Sequence, residues 1–375
     1  MIYFDNASSS KPSLKCLNVF EEESLKSFAN PSSIHKLAMI NGSNISRIKQ
    51  NILHQVGLDD KYDIVFTSGA TESNNLAILG YCRKNKNRGN QIITTNIEHE
   101  SVLNPFLQLE KEGFIVKYLH VDENGEISLD ELNQLMTKQT ILVSIMASNN
   151  EVGSVLNILG ASKIIKEYPK CVLHSDCVQA FGKIPLELSS LDMITITAHK
   201  IHGIKGIGAL ILKKKLLIEP IVYGGNQQNG LRSGTLDYPS IASFNETINE
   251  AIINLKKDNL YVDSLHKYMV TKLKELDEVS INTPDYNYNP YIVCFSLKTK
   301  KASVVVEALS NEGIYVNSVS ACNSKKEDPS YVLLAMNKEY QIAKNPIRVS
   351  FSSENSIEEI DYFNDKLKTI LNTIR

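Results

Sequence analysis

Asp63-Ile64-Val65-Phe66-Thr67-Ser68-Gly69-Ala70-Thr71-Glu72-Ser73-Asn74-Asn75 is the stretch from which the fold can be read. Residues 63–67 are a largely apolar run of strand character, and after Thr67-Ser68-Gly69-Ala70 a helical pattern takes over from about 71 to 84. A strand that feeds a helix through a short glycine-bearing turn is one half of a β-α unit. Downstream, strands are expected over 91–95, 114–118, 141–147 and 172–175. Helices are expected near 101–112 and 129–136, with another between the last two strands. Residues 193–197 and 208–212 read as a closing pair of strands. Apolar strands alternating with helices imply an α/β fold with a mostly parallel sheet covered on both faces.

Beyond about residue 240 the pattern changes. A long helical stretch over 241–276 reads as a connector into a second unit. That unit has strands near 291–297 and 347–351 and helices near 302–311, 329–336 and 357–374. The β-α repeats are too few for another large sheet, so a smaller α+β domain is expected. The length of 375 residues agrees with two domains at about 100–200 residues each.

Composition excludes several classes. Lys+Arg number 40 against 42 Asp+Glu, a net charge of -2 with no basic block, so nothing favours nucleic acid or an anionic membrane as main partner. No apolar run approaches the ~18 residues of a membrane span. Met1-Ile2-Tyr3-Phe4-Asp5-Asn6 lacks the basic start and apolar stretch of a signal peptide. Six cysteines, none in a C-x-x-C pair, are too sparse for a disulfide framework. A cytoplasmic, reducing setting is expected.

Four stretches are candidates for chemistry. The helix start at Ala70-Thr71 offers backbone N–H groups suited to a phosphate, although an ordinary cap by Thr71 or Ser73 is the commoner use of such residues. Cys171-Val172-Leu173-His174-Ser175-Asp176-Cys177 suggests a metal site, but strand periodicity puts His174 and Asp176 on one face and the two cysteines on the other. No metal is therefore expected there, and Asp176, just past an apolar strand, is placed where such sheets bind ligands. In Ala198-His199-Lys200-Ile201-His202-Gly203-Ile204-Lys205-Gly206, a strand delivers a lysine into a glycine-rich turn. Partly removed from water, such a lysine is able to form a Schiff base, whereas most lysines are simply solvated. Cys322, in Ser318-Val319-Ser320-Ala321-Cys322-Asn323-Ser324-Lys325-Lys326, sits among polar residues. That composition suits an exposed, weakly packed segment and a nucleophilic thiol rather than a buried one. The other cysteines, Cys16, Cys82, Cys171, Cys177 and Cys294, have mainly apolar neighbours and read as packing.

The order of these signals resembles the cysteine desulfurases, pyridoxal-phosphate enzymes of the class V aminotransferase family. The matching blocks run nearly end to end. They are Tyr3-Phe4-Asp5-Asn6-Ala7, Asn30-Pro31-Ser32-Ser33-Ile34-His35, Thr67-Ser68-Gly69-Ala70-Thr71-Glu72-Ser73-Asn74-Asn75 and Glu98-His99-Glu100-Ser101. They continue with Asn149-Asn150-Glu151-Val152-Gly153, His174-Ser175-Asp176-Cys177-Val178-Gln179, Ala198-His199-Lys200, Arg232-Ser233-Gly234-Thr235 and Ser320-Ala321-Cys322.

The resemblance implies a fold type I transferase: a seven-stranded, mostly parallel large domain over 13–256, a small C-terminal domain over 257–375 carrying the cysteine, and an arm over 1–12 packing with it. It implies pyridoxal 5'-phosphate as cofactor, with Lys200 as the Schiff-base lysine and Asp176 paired to the pyridinium nitrogen. His99 would stack on the ring and move protons. Asn150 and Gln179 would meet the phenolic oxygen. Ala70, Thr71, Thr197 and His199 would hold the phosphate. Thr235 would reach the phosphate of a second subunit, implying a homodimer. Arg348 would grip the substrate carboxylate, with Asn150 beside it. Cys322 would take sulfur from L-cysteine as a persulfide and pass it to an acceptor protein, an iron–sulfur scaffold or a tRNA-thiolation enzyme. Its loop resembles the long-loop group I branch, in which the cysteine is also a conceivable transient iron–sulfur ligand.

Departures from the family pattern are Ile204 for proline, which suggests a looser turn, and Gly224-Gly225-Asn226-Gln227-Gln228 for Gly-Gly-Gly-Gln-Glu. Asn345-Pro346 and Ser8-Ser9-Ser10 also differ. The rivals are another class V enzyme, an aminotransferase or selenocysteine lyase, and a non-catalytic scaffold. Cys322 weighs against an aminotransferase, and Lys200, Asp176, His99 and Cys322 together weigh against a scaffold.

Overall fold

The computed structural model describes residues 1–318 and 328–374. In chain order its elements begin β1 (Ile2–Tyr3), α1 (Leu14–Lys26), α2 (Lys36–Gln55), β2 (Tyr62–Thr67) and α3 (Ala70–Asn75). A π-helical turn, Leu76–Gly80, carries α3 on into α4 (Tyr81–Asn85). Then follow β3 (Gln91–Thr95), α5 (Glu100–Lys111), β4 (Ile115–Leu119), α6 (Leu129–Leu135), β5 (Thr140–Ser144), α7 (Ile158–Ile165), β6 (Val172–Asp176), β7 (Met193–Thr197) and β8 (Gly208–Lys213). Among the described residues, seven strands form one sheet in the order β2-β8-β7-β6-β5-β3-β4. Only β8 runs against its neighbours, pairing antiparallel with both β2 and β7. The expected closing pair and the mostly parallel sheet are both present.

Period-two alternation explains why the sheet is covered twice. Ile64, Ile93, Val143, Leu173, Ile194 and Ile211 enter one core with α2 and α7. Their strand neighbours Val65, Ile92, Leu142, Val172, Met193 and Leu210 enter another with α4 and α5. Strands buried on both faces leave their carboxyl-terminal ends as the place where polar side chains can gather.

The remaining elements are α8 (Tyr238–Lys274), β9 (Val279–Ile281), β10 (Ile292–Leu297), α9 (Ala302–Asn311), β11 (Ile314–Tyr315), β12 (Asn317–Ser318), α10 (Tyr331–Ala335), α11 (Tyr340–Lys344), β13 (Pro346–Ser350) and α12 (Ile357–Thr373). Strands β12-β13-β10-β9 form a small antiparallel sheet. Helix α8 spans 37 residues and serves two cores. Ile241, Phe244 and Ile248 pack under the large sheet, and Val262, Leu265, Met269 and Leu273 pack with the small one. The chain start joins the second core: β1 pairs parallel with β11, and Phe4 meets Phe351 and Phe363 edge-on at 5.5 and 5.9 Å. That anchoring aims residues 5–10 into the cleft between the two sheets.

Candidate active site

A cavity of about 430 Å³ opens at the carboxyl-terminal ends of the parallel strands. β2 ends at Thr67 and hands over to Gly69, whose φ of 151° suits only glycine, before α3 starts at Ala70. No side chain caps this helix start, so the ordinary cap reading of Thr71 and Ser73 does not hold. Ser73 pairs instead with Thr67, hydroxyl to hydroxyl at 2.8 Å. The backbone is also drawn in tightly here: a Cβ on Gly208 would lie 2.8 Å from Gly69 Cα. Ala70 and Thr71, at this helix start, line the cavity beside Thr197 and His199 from the end of β7. Thr197 Oγ1 and His199 Nδ1 are 3.1 Å apart. Burial, then the Lys200, Lys205 and Lys183 charges, push His199 down to about 4, so its imidazole is neutral at neutral pH.

Asp176, the last residue of β6, is buried and turned into the cavity. Its Oδ2 accepts from Asn74 Nδ2 at 2.8 Å and its Oδ1 from the Val178 N–H at 3.0 Å. Lys200 follows β7 in a short 3-10 turn, and its Nζ donates to the carbonyls of Ala7 and Ser8 at 2.5 and 2.8 Å. Gln179 Nε2 donates to the same Ala7 carbonyl at 3.0 Å. His99 is the N-cap of α5: its Nδ1 accepts from the Ser101 N–H at 3.1 Å and lies 2.8 Å from Ser101 Oγ. Asn150 lies beyond the end of β5, and its buried Oδ1 has no hydrogen-bond partner among the described residues. Arg348, buried on β13, donates from Nη1 to the Asn150 carbonyl at 2.8 Å. Its Nη2 donates to Ser8 Oγ at 2.6 Å and Asp5 Oδ1 at 3.0 Å.

The fold therefore brings Ala70, Thr71, His99, Asn150, Asp176, Gln179, Thr197, His199, Lys200 and Arg348 to one cavity. Thr235 is not among its lining residues and lies exposed on the connection before α8. The expectations for Cys322 and its neighbours fall outside the described residues. Cys16, Cys82, Cys171, Cys177 and Cys294 are buried, and burial raises the last four thiols.

Several contributors were not singled out from the sequence. Asn74 orients Asp176. Glu98 accepts from Thr95 Oγ1 at 2.9 Å and the Met146 N–H at 2.7 Å, tying the ends of β3 and β5 together, and burial raises it to about 8. Glu151, raised to about 7 by burial, accepts from Ser330 at 2.5 Å. Both carboxyls stand inside the family blocks quoted from the sequence, beside His99 and Asn150, but no role was drawn for either. Two departures also find a physical reason. Ile204 packs onto the large-sheet core, so the turn is held rather than loose. Gln228 accepts from the Phe66 N–H at 2.7 Å and donates to the Phe66 carbonyl at 2.8 Å, completing the free edge of β2.

Comparison with known proteins places this geometry. The family model "Aminotransferase class-V" matches residues 2–363. The cysteine desulfurase IscS of Dictyoglomus turgidum is 35% identical, the match covering 100% of this chain and 95% of that protein. A solved NifS-like protein superposes with a TM-score of 0.93 at 33% identity, over 100% of both chains. A structure of SspA in complex with cysteine superposes at 0.81 with 30% identity, over 94% of this chain and 99% of that one.

Proposed function

The chain belongs to the class V aminotransferases, within their cysteine desulfurase family, and from that premise we propose that it converts L-cysteine to L-alanine with Cys322 receiving the sulfur. The observation that carries the reading is the convergence of Lys200, Asp176, His99 and Arg348, far apart in sequence, on one cavity.

The residues present fit pyridoxal 5'-phosphate. The cavity volume lies in the range of small-ligand sites, about 300–1,000 Å³. Asp176, held by two donors, offers a carboxylate for a protonated ring nitrogen. The buried Asn150 Oδ1, without a partner among the described residues, suits a polar ligand. The uncapped start of α3 and Thr197 suit the phosphate, with His199 as a neutral hydrogen-bonding neighbour. Lys200 Nζ supplies the amine, and His99 a flat imidazole. When bound, the cofactor supplies an electron sink that stabilises negative charge at the substrate Cα.

The chain's own residues do the rest. Arg348 clamps the substrate carboxylate through its planar fork, exchanging contacts now made to Asp5 and Ser8. Lys200 Nζ would take the substrate Cα proton, and His99, lining the same cavity, would move protons to and from the reacting atoms. The Cys322 thiolate attacks the substrate sulfur. The carbon–sulfur bond breaks with its electron pair left on carbon, which is protonated and leaves as alanine. Sulfur stays on Cys322 as a persulfide for an acceptor protein of iron–sulfur assembly or tRNA thiolation. A thiol of ordinary pKa, ~8.5, is only a few per cent ionised at pH 7, so activity should rise toward mildly alkaline pH.

The test is to incubate the protein with L-cysteine and a reductant and to measure sulfide and alanine together, expecting equal amounts. Without reductant, one extra sulfur should map to Cys322. Cys322→Ala should keep the yellow cofactor yet yield almost no alanine, and Lys200→Ala should lose both colour and turnover. Wild-type rates in either variant, or sulfur mapped to Cys177 or Cys294, would sink the assignment.

A further inference from the structure

Lys183 has no place in the chemistry above, yet it is buried beside it. Together with Lys200 it lines a second cavity of about 170 Å³, where Glu250, Asp258 and Glu354 also appear. Its backbone is fixed on two sides. Gly182 has a φ of 70°, and a Cβ there would lie 2.9 Å from Ala251 Cβ on α8. The Lys183 carbonyl accepts from Asn259 Nδ2, also on α8, at 2.9 Å. From that fixed base the side chain runs over the Tyr291 ring, 5.8 Å from its centroid, and Nζ donates to Gln179 Oε1 at 3.3 Å.

The chemistry of an ammonium decides what this contact does. It has three donors and no acceptor, so only the oxygen of the Gln179 amide can face it. The amide nitrogen must then point the other way, toward the Ala7 carbonyl and the cavity that holds Lys200. A phenolic oxygen bearing negative charge accepts hydrogen bonds and needs that nitrogen rather than the oxygen. We propose that Lys183 is a positioning residue that locks the Gln179 amide with its donor turned into the active-site cavity. The inference rests on the pyridoxal-phosphate reading given above. Burial and the nearby Lys200 and Arg348 charges push the Lys183 amine down to about 7, so the lock belongs to the ammonium form and weakens as pH rises above that value. A packing role would be met by a methionine without that electrostatic cost.

The experiment compares wild type, Lys183→Met, Lys183→Arg, Gln179→Ala and the Lys183→Met/Gln179→Ala double variant. Each is loaded with pyridoxal 5'-phosphate, and the dissociation constant and visible absorption maximum are measured. Lys183→Met should weaken cofactor binding by about ten- to a hundredfold, the scale of one hydrogen bond to a charged group, and shift the maximum. Arginine, also a donor without an acceptor, should restore both. In the Gln179→Ala background Lys183→Met should change nothing more. A Lys183→Met protein with wild-type affinity and spectrum overturns the lock alone, as does an equal effect in both backgrounds. Wild-type protein that takes up no pyridoxal phosphate overturns the functional reading and the lock together.

Discussion

Glu98 shows how much a single buried carboxyl can impose. Burial raises it to about 8, and the Asp176 charge adds to the effect against the hydrogen bonds from Met146 and Thr95. A carboxyl whose folded pKa exceeds its unfolded value stabilises fully below the unfolded pKa, ~4.3, and loses that contribution as pH rises through the folded value. Glu98→Gln keeps an oxygen for the Thr95 and Met146 donors and cannot ionise. Its unfolding free energy should match wild type near pH 5 and exceed it increasingly up to pH 9, where the difference should reach roughly a few kcal/mol. A gap that does not change with pH would show that Glu98 is ionised in the fold. Gln228 acts at the same scale by other means. Its amide serves Phe66 as donor and acceptor at once, and Gln228→Glu would set a carboxylate oxygen against the Phe66 carbonyl. That change should cost about 1–3 kcal/mol by denaturant unfolding. A neutral result would mean that water serves that strand edge equally well.

At the scale of elements, the site depends on strands too short to stand alone. β1 has two residues, and its partner β11 has two. They persist because Phe4, directly after β1, is buried against Phe351 and Phe363. The same anchoring places Asp5, Ala7 and Ser8 where they meet Arg348 and Lys200. Phe4→Ala should cost about 3–5 kcal/mol and weaken the Arg348 contacts, raising the KM for L-cysteine more than it lowers kcat. An unchanged KM in a folded Phe4→Ala protein would show that the arm orders itself without the aromatic anchor. α8 is the counterpart at larger range. One helix packs into both cores, so the two sheets share a rigid strut rather than a linker.

For the whole molecule, the exposed apolar side chains Leu14, Leu25, Phe28, Ile34 and Met39 support the homodimer reading, because such residues gathered in one part of a chain suit a subunit interface. Light scattering should give twice the mass of the 375-residue chain, and Thr235→Val should weaken cofactor binding without dissociating the dimer. A fully active monomer would exclude composite sites. What the sequence determined by itself were the elements whose signal is local. Strands at 91–95 and 193–197 and the helix at 302–311 lie where they were read, because apolar periodicity and a core-facing stripe coincide there. The motif residues likewise announced the cavity, since their order along the chain follows the strand ends. Tertiary structure decided the rest. α1 buries only Cys16 and so has almost no apolar stripe to read; it is held against α8 by Ser13–Glu250, Lys15–Glu250 and Ser243–Cys16 contacts. α2 is the opposite case, since it buries Ala38, Ile45, Ile48, Ile52 and Leu53 at helical spacing, a stripe the sequence did carry, whereas β1, β11 and β12 exist only through pairing with distant segments. Asn74, Glu98, Glu151 and Lys183 gained their roles from burial, which raises the free energy of an unpaired polar group and so selects its partner, and no spacing of residues along a chain records burial.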